Sequence, residues 1–146
     1  VDVFVTHSTG SQPPVFSVET PIGVYSSGDS PWILNALCKR PRAALLDTLT
    51  KALTDLAPKS RRLRIEHHGA LQRDLIIQGT GKVTTVFGPP STAMRANTPD
   101  LAYTAGQLHE ACTKFTDVTF VHVDSQGRHR ATIVWHPPQN KVKKVA

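Results

Sequence analysis

Two adjacent histidines, His67 and His68, stand between Glu66 and Gly69 in the stretch "RRLRIEHHGALQRDLIIQG". Imidazoles beside an acid suggest metal or acid–base chemistry, but neighbouring strand residues point to opposite faces and rarely share one ion. A zinc site needs three or four converging ligands, and here only Glu66 and Asp74 are near enough in sequence to join. The expectation is a polar hairpin tip. His122 and His129 flank "VDSQGR" and would face each other across a hairpin if residues 124–127 form a four-residue loop, giving a pH-sensitive pair or half a metal site. "HEACT" at 109–113 starts like a zinc-binding helix but has Thr113 where the second histidine belongs, and "GTGK" at 79–82 lacks the other residues of a phosphate loop. No G-x-S-x-G elbow is present. No residue is assigned to catalysis or to a metal, and no cofactor is implied.

Cationic residues carry the stronger signal. Between Lys39 and Arg64 stand Lys39, Arg40, Arg42, Lys51, Lys59, Arg61, Arg62 and Arg64, opposed only by Asp47 and Asp55. From Val83 to Asp124 the balance reverses, with Arg95 and Lys114 against Asp100, Glu110, Asp117 and Asp124. The whole chain carries +6. Such a field suits phosphates, an acidic protein or a lipid headgroup surface. The expected nucleic-acid-binding residues are Lys39, Arg40, Arg42, Lys59, Arg61, Arg62, Arg64 and Arg73, framing the ends of one helix. Aromatic residues make up 6% of the chain, so binding should run mainly through backbone phosphates.

The elements that must hold these groups are legible in the patterning. "VDVFV", "VFSV" and "IGVY" read as short strands separated by Pro and Gly. "SSGDSPW" reads as a loop. Residues 41–57 read as a helix: Pro41 fits the first position, Leu45, Leu49, Ala52, Leu53 and Leu56 form one apolar stripe, and Pro58 ends it. "RLRIE" and "RDLIIQ" should pair around "HHGA". In the second half, "KVTTVF" is a strand, and residues 99–115 a helix behind Thr98 with the stripe Leu101, Ala105, Leu108, Cys112 and Phe115. "VTFVHVDSQGRHRATIVWH" is a hairpin turning at Gly127.

The halves align. Val24, Pro31, Leu49, Leu53 and Leu56 correspond to Val83, Pro90, Leu108, Cys112 and Phe115 at one offset, and Ile65, Gly69, Leu75 and Ile77 to Val123, Gly127, Ile133 and Trp135 at an offset one shorter. A strand–helix–hairpin unit at 22–79 would recur at 80–136. Each helix stripe must bury against a sheet. The expected fold is therefore α+β: a largely antiparallel sheet with two helices on one face, in a single domain over 1–136 followed by a basic tail, 137–146.

The element order, with three strands, a helix, a strand, a later helix and a strand, also resembles the ribonuclease H-like family. "NTPDL…LHEACTKFTDVTFVHV" resembles its late helix–strand passage. That family's nucleases need an Asp on the first strand and further carboxylates around two metal ions. Here the first strand runs into "VTHST" with His7 near that place, so the resemblance implies a catalytically inactive member.

No run of residues is long and apolar enough to span a membrane. Cys38 and Cys112 are too few for a disulfide framework, and Cys112 falls on the helical stripe, so an intracellular, reducing setting is expected. The chain opens at Val1 rather than Met, so a processed chain or a segment cut from a longer protein is expected. The leading expectation is a non-catalytic module for an anionic partner, nucleic acid (RNA included) foremost. The alternative is a protein-interaction or assembly domain that meets a protein partner or its own copy.

Overall fold

The computed structural model describes residues 1–8, 14–34, 40–68, 95–96 and 99–136. Among the described residues six strands form one sheet: β1 (Asp2–Ser8), β2 (Val15–Thr20), β3 (Gly23–Ser26), β4 (Arg62–His67), β5 (Asp117–Val123) and β6 (His129–Trp135). The spatial order is β3-β2-β1-β4-β5-β6. The β3–β2, β2–β1 and β5–β6 pairings are antiparallel, whereas β1–β4 and β4–β5 are parallel. Among the described residues the helices with both ends defined are a short α1 (Pro31–Leu34), α2 (Pro41–Leu56) and α3 (Pro99–Cys112).

Strand alternation sorts the residues into two faces. Val3, Val5, Phe16, Val18, Leu63, Ile65, Val118 and Phe120 point to the helix side and are buried. Against them lie Leu45, Leu46, Leu49, Leu53 and Leu56 of α2, and Ala105, Leu108 and Cys112 of α3, with Phe115 just beyond it. The expected α2 stripe is wholly buried, but burial extends past it to Ala43, Ala44 and Thr48, because α3 packs on α2 as well as the sheet. Thr48 tolerates this because its hydroxyl donates to the Ala44 carbonyl at 2.8 Å. The fold is thus α+β with two long helices on one sheet face.

Three local expectations change. "SSGDSPW" is not plain loop: a 3-10 turn at Ser27–Asp29 and α1 occupy it, capped by the Ser26 and Ser30 hydroxyls. α2 ends at Leu56 and passes into a 3-10 turn, Ala57–Lys59. Most consequential, β4 is not one arm of a hairpin, because both its edges are taken by β1 and β5 in parallel. Its counterpart in the sequence alignment, β5, does turn at Gly127 into an antiparallel partner. The equated segments therefore sit in different sheet environments. The expected partner strand "RDLIIQ", "KVTTVF", Thr98 and the tail 137–146 lie outside the described residues.

Candidate functional site

Both ends of the parallel strands present candidate groups. At the carboxyl end, His67 closes β4 in register with His122 on β5. Each continues the inward alternation of its strand: Leu63, Ile65, His67 on one, Val118, Phe120, His122 on the other. Their rings stack with centroids 5.3 Å apart and planes 5° apart. His67 is 1% exposed, so it is not the solvated hairpin tip expected from sequence. Burial, reinforced by the neighbouring His122 and His68 imidazoles, pushes its pKa down to about 4, which leaves it neutral near pH 7. His122 is also lowered, first by burial and then by Arg130 and His68, with Asp124 acting the other way.

This pair is not a metal clamp. Ring-nitrogen lone pairs lie in the ring planes, so two stacked imidazoles do not converge on one ion at about 2.0–2.1 Å. Among the described residues no group of three or more His, Cys, Asp or Glu side chains is placed to hold a metal. His122 and His129 do not oppose each other either. A bulge pairs His122 with Ala131 and Val123 with His129, and His129 Nε2 lies 2.6 Å from Thr132 Oγ1. Asp124 is committed to the turn: its carboxylate accepts from the Gln126 and Arg128 backbone N–H groups, which hold its pKa down. His68 Nδ1 lies 3.2 Å from the Asp124 carbonyl oxygen.

Beside this pair, β1 and β4 run parallel while their chains leave toward opposite sheet edges, the position where open α/β sheets most often bind ligands. A cavity of about 260 Å³ lies there, lined by Val5, Thr6, His7, Phe16 and His68. His7 packs its ring on Phe16 at 5.0 Å. These residues offer imidazole and hydroxyl hydrogen bonds on an apolar floor, with no carboxylate among them.

The amino end of β4 and β5 is cationic. Arg61 and Lys114 line one cleft of about 420 Å³ with Ala57, Pro58, Ser60 and Thr116. The backbone fixes this cleft, since Thr116 N–H donates to the Arg61 carbonyl at 2.7 Å. Neither cation forms an ion pair among the described residues, and both are exposed. Both long helices end nearby, and cations near helix C-termini are favoured by the helix dipole.

The sequence-expected basic residues divide between the ends. Arg40 caps the start of α2 and is bound to Asp100 at 2.8 Å, with exposed Arg42 next in the helix. Arg61 and Arg62 lie beyond the other end of α2, about 24 Å away along its sixteen residues. Arg62 faces Asp117 at 3.6 Å, and Arg64, on the sheet face away from the helices, faces Glu66 at 3.4 Å. Lys59 closes the 3-10 turn next to the cleft. Lys39 and Arg73 lie outside the described residues. The ends of α2 therefore frame two separate groups. Lys114 carries no signal in the sequence because it belongs to the mildly acidic half; the crossing of α3 back toward β5 brings it beside Arg61.

No family model matches the chain, and no curated protein or solved structure matches it either.

Proposed function

We propose that this chain is a non-catalytic binding module for a polyanion, nucleic acid being the class its charge fits, and that the Arg61–Lys114 cleft is the principal contact. The observation that carries this reading is the cleft itself: two exposed cations from distant parts of the sequence share one concave surface with no acidic side chain in its lining. The Thr116 hydroxyl in the same lining adds a hydrogen-bond donor suited to phosphate oxygens. Arg62, whose side chain is 81% exposed, stands beside the cleft and can exchange its loose Asp117 partner for a phosphate. The net charge of +6 supplies the longer-range attraction.

A generic oligonucleotide titrated at two salt concentrations tests the proposal. Binding should weaken steeply with salt, and the double variant Arg61→Ala/Lys114→Ala should bind at least tenfold more weakly, with a salt slope shallower by roughly one to two. No binding at low salt, or equal binding by the double variant, refutes it. A tight dimer in sedimentation, with no oligonucleotide binding, would instead favour the assembly reading.

One observation favours a narrower second reading, a catalytically inactive ribonuclease H-like domain. The order of three strands, helix, strand, helix and strand agrees with that resemblance, and β1, β4 and β5 lie side by side in parallel. At their carboxyl ends stand His7, His67 and His122 rather than a set of carboxylates. This reading predicts nucleic-acid binding without Mg²⁺- or Mn²⁺-dependent cleavage; metal-dependent cleavage lost on substitution of His7 would contradict it.

A further inference from the structure

The outer face of α3 joins the cationic cleft to a second concavity. Tyr103, Gln107, Glu110 and Lys114 are all exposed and recur at helical spacing. Tyr103 and Lys114 are eleven residues apart, close to three full turns, so they share one side of the helix, about 16 Å apart along its axis. Lys114 follows α3 in a tightened last turn, where Thr113 N–H donates to the His109 and Glu110 carbonyls and Lys114 N–H to the Ala111 carbonyl, which keeps it close to that side of the helix. At the Tyr103 end a cavity of about 250 Å³ is lined by Arg95, Pro99, Ala102 and Tyr103. An aromatic ring, 62% exposed, thus borders an apolar hollow with a guanidinium on its rim.

We infer that this face is a track for single-stranded nucleic acid, with Tyr103 stacking an unpaired base, Arg95 meeting the adjoining phosphate, and Lys114 and Arg61 holding the backbone further along. The inference rests on the polyanion reading and adds the strandedness of the partner. An aromatic platform between cations fits unpaired bases, whose faces are available, whereas a duplex stacks them against each other. Among the described aromatic residues Tyr103 is the most exposed, at 62% against 36% for Phe4. Glu110 lies on the same line and opposes a phosphate backbone, which makes the face tunable.

Fluorescence anisotropy with a labelled single strand and the matching duplex, in moderate salt, tests this. Tyr103→Ala should weaken single-strand binding on the order of tenfold while leaving its salt slope unchanged, and Tyr103→Phe should restore it. Glu110→Gln should tighten single-strand binding about twofold to threefold. Circular dichroism melting confirms that these surface variants remain folded. Salt-sensitive binding that is indifferent to Tyr103→Ala, or equal affinity for duplex and single strand, overturns the track and leaves the cleft standing. Absence of binding to either nucleic acid at low salt overturns both.

Discussion

The two ends of strands β4 and β5 solve opposite electrostatic problems with the same backbone. At the carboxyl end, inward alternation delivers His67 into a closed layer with half-buried His122 stacked on it, and desolvation favours the uncharged imidazole of each. At the amino end, five residues earlier along each strand, Arg62 and Asp117 stay at the surface as a solvated, screened pair. Along one strand, burial holds an imidazole neutral near pH 7, while the guanidinium at the other end, charged in any setting, stays at the surface where an anion can reach it.

The largest effect should come from acidifying the histidine end. An unfolded histidine titrates near pH 6.5, while folded His67 resists protonation down to about 4. Protons are therefore taken up preferentially by the unfolded chain as pH falls below 6.5, and stability is lost between pH 6.5 and 4. The full shift corresponds to about 3 kcal/mol from this one group. Above pH 6.5 the group makes stability neither rise nor fall. Urea denaturation across pH 4–7.5 should show this loss, and His67→Leu should flatten it whatever its stability at pH 7.5. A slope unaltered by that substitution would break the contrast between the ends.

A smaller effect is expected in the turn that closes this end. Gly127 has a φ of +81°, the left-handed region, and a Cβ added there would meet nothing within 4 Å. Gly127→Ala should therefore cost about 1–2 kcal/mol from backbone conformation alone, without a clash, as read by a shift in urea midpoint. At the amino end Arg62→Ala should cost less than about 1 kcal/mol and lose even that in high salt. Arg61→Ala/Lys114→Ala should leave the melting temperature nearly unchanged, so that any loss of oligonucleotide binding reports the surface and not the fold.

Local pattern made the helices and one hairpin legible. The α2 stripe is buried as its spacing requires, that of α3 is buried except for half-buried Leu101, and "DSQG" does turn at Gly127. The neighbours of β4 were not legible. Alternating residues such as Arg62–His67 announce a two-faced strand, but the same alternation suits a hairpin arm or a strand between parallel partners, and only the crossover through α2 decides. The stacked histidines were hidden for that reason: positions 67 and 122 are 55 residues apart and meet only through parallel pairing. The basic stretch was legible as composition but not as a surface, because α2 separates Arg40 from Arg61 and α3 imports Lys114.

Cys112, sealed at the end of α3 among Leu108, Phe115 and the sheet, has a further use. Burial raises its thiol far above the ordinary range, so it offers no thiolate to an alkylating reagent while the core is shut. With Cys38 replaced by serine, the rate of labelling at this sulfur becomes a clock for how often the helices lift from the sheet, and, on the proposed polyanion reading, adding an oligonucleotide should slow that clock.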